Sequence, residues 1–269
     1  MSYVETAGRI AREAGRMIHS RMDTDFSTEQ KSSVFDVVTE VDKASEQLIR
    51  QRLKEAYPEH GFLGEEESFA HAGELEERLE QAKKEPFVWI VDPIDGTNNY
   101  VQGIPGFTVS IALACYGELR AGVIYDPCRD EIFWAEKGKG AFRNGSPITV
   151  SNAAELAQTV VGTGFPSKAA NRQAVMTSLQ EIAPQCRSIR SLGSAALHLA
   201  YVASGKLGAF WEYGLNAWDV AAGVLIIEEA GGRVTDTLGN PYQLSVKHIV
   251  GSNGSVHDAL LKSLIPLGI

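Results

Sequence analysis

A chain of 269 residues that is 44% hydrophobic and 22% charged can bury a sizeable apolar core, and it carries no disordered, collagenous or coiled-coil signature. Its 25 Lys and Arg against 34 Asp and Glu give a formal charge of −9, which excludes a basic nucleic-acid footprint. Three cysteines with no C-x-x-C spacing, and no apolar run of about 18 residues, exclude a disulfide framework, a structural zinc site and a membrane span.

Val4, Ala7, Ala11, Ala14, Ile18 and Met22 recur at helical spacing, so the chain opens on an amphipathic helix. The start lacks the apolar h-region of a secretory signal, Glu5 and Glu13 within it argue against a transit peptide, and a reducing, cytoplasmic setting is expected. After a polar stretch from Asp23 to Ser33, a second helix starts near Thr39 and stops at Tyr57-Pro58. The run from Phe87 to Val91 is short and continuously apolar, as suits a strand buried on both faces, and it ends at Asp92. Thr108 to Ala114, Arg120 to Tyr125 and Glu131 to Ala135 read as an antiparallel meander, followed by a hairpin signal at Arg143-Asn144-Gly145-Ser146.

Beyond about Val150 the pattern alternates. Strands are predicted near Val160-Val161, Arg187 to Arg190 and Leu207 to Trp211, and helices over Arg172 to Glu181, Ser194 to Val202 and Ala217 to Ala230, the last ended by Gly231-Gly232. The shift divides the chain into an N-terminal part, 1–150, and a C-terminal α/β part, 151–269, sharing an extended interface. Gly162-Thr163-Gly164-Phe165 and Gly138-Lys139-Gly140 are not Walker loops and read as turns, and His198 reads as a helix residue at an interior edge.

A phosphate-handling site in so acidic a chain needs positive charge from metal ions or a helix N-terminus. Asp92-Pro93-Ile94-Asp95-Gly96-Thr97 supplies two carboxylates three residues apart at the end of a buried strand, and hard divalent ions take such oxygen ligands. A helix opened at Thr97 would add anion-seeking N–H groups from Gly96 and Thr97. The hexapeptide equally suits an ordinary surface turn. Glu65 to Glu67 also reads as a solvated acidic run, and Asp219 as a first-turn partner of its helix dipole. The six histidines show no H-x-x-x-H or H-E-x-x-H pattern, and no EF-hand loop is present.

Together, Gly64-Glu65-Glu66, the hexapeptide and Trp218-Asp219-Val220-Ala221-Ala222-Gly223 resemble the inositol monophosphatase family. The resemblance extends through Lys31, Asp36-Val37-Val38-Thr39 with Asp42, Gly193-Ser194-Ala195-Ala196 and Trp211-Glu212, nearly the whole chain. It implies a layered αβαβα sandwich with mixed sheets, an α/β (α+β) fold, and a homodimer. It implies two to three Mg²⁺ ions: Glu65, Asp92 and the Ile94 carbonyl would hold one, and Asp92, Asp95 and Asp219 a second. A looser third would lie under a mobile loop bearing Lys31. Glu65 and Thr97 would orient the attacking water, and Asp42 would hold Thr97 or act as a capping partner of Thr39. Asp95, Gly96, Thr97, Ala195, Glu212 and Asp219 would contact a small phosphorylated substrate. Glu66 would be an outer or weak ligand and Glu67 a solvated carboxylate.

Myo-inositol 1-phosphate is the substrate implied first. Fructose 1,6-bisphosphate, histidinol phosphate, NADP and 3′-phosphoadenosine nucleotides are taken by related phosphatases, and a regulatory binding module is the non-enzyme alternative. Lithium inhibition is a further implication. Asn98-Asn99-Tyr100 stands where many members have Thr-Asn-Phe, and Asn216 where animal members often have His, and both are expected to flank substrate.

Overall fold

In a computed structural model, residues 2–22, 24, 27–30 and 37–265 are described, and Lys31 lies outside them. The first helix, α1 (Tyr3–Ser20), is fixed at its start by a capping box. The Glu5 N–H donates to Ser2 Oγ and the Ser2 N–H donates to the Glu5 carboxylate. Strand β1 (Thr28–Gln30) pairs antiparallel with β2 (Val37–Thr39), within and beyond a stretch the sequence pattern leaves as polar loop. Thr39 then caps α2 (Glu40–Ala56).

Next come β3 (Gly61–Gly64), α3 (Glu65–Ala70), α4 (Leu75–Ala82), β4 (Val88–Asp95), α5 (Thr97–Val101), β5 (Thr108–Cys115), β6 (Glu118–Asp126), β7 (Glu131–Glu136), β8 (Ala141–Arg143) and β9 (Ser146–Ile148). The strands β3 to β9 form a seven-stranded sheet in sequence order, parallel only between β3 and β4. The predicted hairpin is there, with Asn144 and Gly145 both at positive φ between paired Arg143 and Ser146.

The chain continues through β10 (Val160–Thr163), α6 (Ala169–Ile182), β11 (Ser188–Arg190), α7 (Ala195–Ala203), β12 (Ala209–Tyr213), α8 (Ala217–Glu229), β13 (Arg233–Asp236), β14 (His248–Ser252) and α9 (His257–Lys262). Its five-stranded sheet has the order β11-β10-β12-β14-β13, mixing parallel pairs around β10 with antiparallel pairs around β14. Gly162 and Thr163 therefore lie in a strand and not in the turn read from their glycines, since Val160 and Val161 carry the pairing past them.

The layers follow from the two-residue period of each strand. Trp89 and Val91 of β4 pack with α1 and α2 on one face, while Val88 and Ile90 pack on the other face in the core that holds α7 and α8. That core is shared with Phe210, Val234 and Ile249 of the second sheet. Ala209, Trp211 and Tyr213 of β12 point outward beneath α6 and α9. The result is the expected αβαβα stack. Helix α8 is apolar on all sides from Val220 to Ile227, apart from Gly223, because it is buried between two sheets.

Candidate active site

On a regular strand, residues three apart point to opposite faces. Asp92 pairs with Ser110 and Asp95 with Thr108, so three steps along β4 match two along β5, and this bulge turns both carboxylates toward the same side. Pro93, which has no N–H to lose, sits inside the bulge, and the Ile94 N–H donates to Asp92 Oδ1 at 3.0 Å. The apolar strand thus runs on to Asp95 and does not end at Asp92.

The parallel pairing of Gly64 with Val91 brings Glu65 beside Asp92, and the two carboxyl groups share a hydrogen bond. Asp219 arrives from the first turn of α8, where its Oδ2 accepts the Asn216 N–H at 2.6 Å. Oxygens of Asp92, Asp95 and Asp219 all lie within 4.8 Å of one another. Burial first, and then the neighbouring acids, push Asp92 and Asp219 well above the carboxylate range. Burial also raises Asp95, but only to about 6, because Ser194 Oγ (2.6 Å), the Ala195 N–H (3.2 Å) and the Ala196 N–H (2.6 Å) donate to it. A buried, oxygen-only donor set that resists carrying its own charge fits a hard divalent cation.

Thr97 Oγ1 lies 3.0 Å from both Asp42 Oδ1 and the Ile94 carbonyl oxygen. Asp42 Oδ2 at the same time accepts from the Thr39 N–H and hydroxyl, at 2.8 and 2.6 Å. Asp42 makes both of the contacts proposed for it. Gly96 stands at φ +100°, and a Cβ there would meet the carbonyls of Gly106 and Gly193 at 3.0 and 3.1 Å. Helix α5 does open at Thr97, but its five residues carry little macrodipole.

Three residues take positioning roles that the sequence pattern does not assign to them. Ser194 is the N-cap of α7 and also holds Asp95, and a serine before an apolar helical run was the available signal. Asn99 Nδ2 donates to the carbonyls of Gly106 (2.8 Å) and Leu192 (2.6 Å), tying the β4 end to the α7 start. Asn99 and the buried Tyr100 are therefore structural, and of that tripeptide only Asn98 lines the cavity below. Glu46 on α2, raised by its burial, accepts the N–H groups of Glu66 (2.8 Å) and Glu67 (3.0 Å). Glu67 is not a freely solvated acid, since it pairs with Arg50 and with Arg78.

A cavity of about 580 Å³ opens over the cluster, lined by Glu65, Glu212, Asn216 and Asp219 together with Lys168 and Lys247. Glu212, at the end of β12, is 9% exposed, and burial followed by the charges of Asp95 and Asp219 raises its carboxyl well above the usual range. It has no hydrogen-bond partner among the described residues. Its oxygens are thus available to a ligand's hydroxyl groups.

A model of the Inositol monophosphatase family matches residues 2–266. The chain is 39% identical over 262 residues to Nus factor SuhB of Pseudomonas aeruginosa, covering 96% of this chain and 94% of that one. It is 40% identical over 262 residues to inositol-1-monophosphatase of Mesorhizobium japonicum, with 95% and 93% covered. The crystal structure of the extragenic suppressor protein SuhB from Bartonella henselae superposes with a TM-score of 0.87 at 36% identity, over 98% of each chain.

Proposed function

The chain belongs to the inositol monophosphatase family, and from that premise we propose that it is a Mg²⁺-dependent phosphomonoesterase acting on a small phosphorylated polyol such as myo-inositol 1-phosphate. The observation that carries this reading is the convergence of Asp92, Asp95 and Asp219 within 4.8 Å, next to a cavity that Asp219 and Glu65 line and that is large enough for such a substrate. Glu65, Asp92, Asp95, Asp219 and the Ile94 carbonyl would hold two to three ions. The chemistry such ions would supply there is neutralisation of phosphoryl charge and a more nucleophilic water.

The chain's own groups do the positioning. Asp42 fixes the Thr97 hydroxyl, and Thr97 with Glu65 orients the attacking water toward phosphorus. Ser194, Ala195 and Ala196 keep Asp95 ionised and aimed, so that its carboxylate remains an acceptor at neutral pH. Glu212 receives the hydroxyl groups of the polyol. The ester O–P bond breaks, the alcohol takes up a proton, and inorganic phosphate leaves, with no protein nucleophile required.

Phosphate release from inositol 1-phosphate, fructose 1,6-bisphosphate, histidinol phosphate, NADP and 3′-phosphoadenosine 5′-phosphate, with Mg²⁺ and with chelator, tests the reading. Chelator-sensitive release is expected, and the ranking by kcat/KM identifies the substrate. No release from any of them would overturn it. The name Nus factor carried by relatives about 40% identical favours a second reading, a regulatory binding role in this chain as well. The complete buried carboxylate set weighs against that being its sole role, since three such groups without a cation cost stability.

A further inference from the structure

The bulge in β4 decides which residue of β5 faces Asp95. An unbroken register from the Asp92–Ser110 pair would set Phe107 across from Asp95, but the extra residue brings Thr108 there instead. Residues directly opposite on antiparallel strands share a face, so the Thr108 hydroxyl lies on the side to which Asp95 points. Thr108 is fully buried, and among the described residues its hydroxyl has one partner, Ser194 Oγ at 3.2 Å. The direction of that bond follows from counting hydrogens, since a hydroxyl offers one hydrogen and two lone pairs. Asp95 Oδ2 accepts the Ala196 N–H at 2.6 Å, and Ser194 gives its single hydrogen to the same oxygen, also at 2.6 Å. The Leu197 N–H, at 3.1 Å, takes one lone pair of Ser194 Oγ. The other is left for Thr108, which is therefore the donor. The three groups make a one-way chain from Thr108 through Ser194 to Asp95, in which each bond polarises the next. Filling both lone pairs also holds the serine rotamer and leaves its hydrogen directed at Asp95.

We propose that Thr108 is a positioning residue for the cation site: acting only through Ser194, it keeps Asp95 in place within its cluster with Asp92 and Asp219 and so tightens Mg²⁺ binding. The inference rests on the metal-dependent reading above.

The test titrates Mg²⁺ into the chelator-treated full chain and reads the dissociation constant from the rise in Tm, with the Mg²⁺ dependence of phosphate release measured beside it. Removing a direct partner of a metal ligand costs about 10- to 100-fold in affinity, and Thr108 stands one bond further out, so T108V is expected to weaken Mg²⁺ about fivefold. The Mg²⁺ concentration giving half-maximal release should rise by the same factor. T108S should restore both values. Valine strands no donor, so the Tm of T108V in chelator should stay within about 2 °C of wild type. S194A should weaken Mg²⁺ by about tenfold or more, and T108V/S194A should bind no more weakly than S194A alone, because the relay is already cut. A role in packing alone would lower the Tm in chelator and leave the Mg²⁺ constant where it was. Wild-type Mg²⁺ affinity in T108V, or a T108V loss that persists in full on top of S194A, would overturn the relay while leaving the metal site in place. No Mg²⁺-dependent rise in Tm in the wild-type chain would overturn both.

Discussion

Replacing Asp92 by asparagine should make the metal-free protein more stable while removing its activity. Like charges no more than 4.8 Å apart repel by about 3.5 kcal/mol at an effective dielectric constant near 20. Asp95 gives a second measure. Its carboxyl is raised from 3.8 to about 6, so its burial among acids costs the folded state about 3 kcal/mol at any pH above that value. The sign follows from the direction: a carboxyl with a raised folded pKa destabilises most when ionised, and the cost fades as pH falls toward 4. The amide of Asp92→Asn keeps a side-chain oxygen able to accept the Ile94 N–H and has an N–H to offer Glu65, while it needs neither a buried charge nor the proton that neutralises one. A gain of about 2–3 kcal/mol in chelator corresponds to a Tm about 4–6 °C higher. Saturating Mg²⁺ should erase that advantage, since about 100-fold excess over the dissociation constant adds about 2.7 kcal/mol to a protein with an intact site. Calorimetry in chelator and in Mg²⁺, beside phosphate release, reads all three effects. A variant that is less stable than wild type in chelator, or that hydrolyses substrate at a near-normal rate, refutes the reasoning.

Thr97→Ala removes the hydroxyl that Asp42 fixes and is expected to lower kcat by about 10²-fold, with Thr97→Ser largely restoring it; an unaltered kcat in the alanine variant removes Thr97 from the mechanism. Asn99→Ala orphans the carbonyls of Gly106 and Leu192 and should cost about 2–3 kcal/mol in urea unfolding, so equal midpoints would count against the clamp. His198 and His257 are both lowered to about 4 by burial. The unfolded chain therefore protonates them first, and their contribution, complete above about pH 6.5, is lost between 6.5 and 4 at up to about 3 kcal/mol each. Urea unfolding of Asp92→Asn at pH 7 and pH 5 in chelator measures this, and His257→Gln should flatten the pH slope. Millimolar Li⁺ should depress steady-state turnover by competing at one cation position, and unchanged turnover would dismiss that expectation.

Much of the fold was legible because its elements are long and strongly periodic. Val88 to Val91 had to be a strand buried on both faces, and the breakers between Thr108 and Ala135 had to give a meander. The pieces that pattern reading passed over are short, or follow a helix stop and lack clean alternation. Strands β13 and β14 owe their place to pairing with each other and with β12. The sequence by itself determined which donors the site offers: the carboxylates of Asp92, Asp95 and Asp219, with Glu65 and Thr97 beside them. Only the tertiary structure decided that they converge. The local two-residue period would send Asp92 and Asp95 to opposite faces until pairing with β5 forces a bulge. Asp95 is then held by Ser194, 99 residues away, because two sheets close on α7 and α8. Such contacts are set by the burial of a shared core, and no local pattern in the chain encodes them.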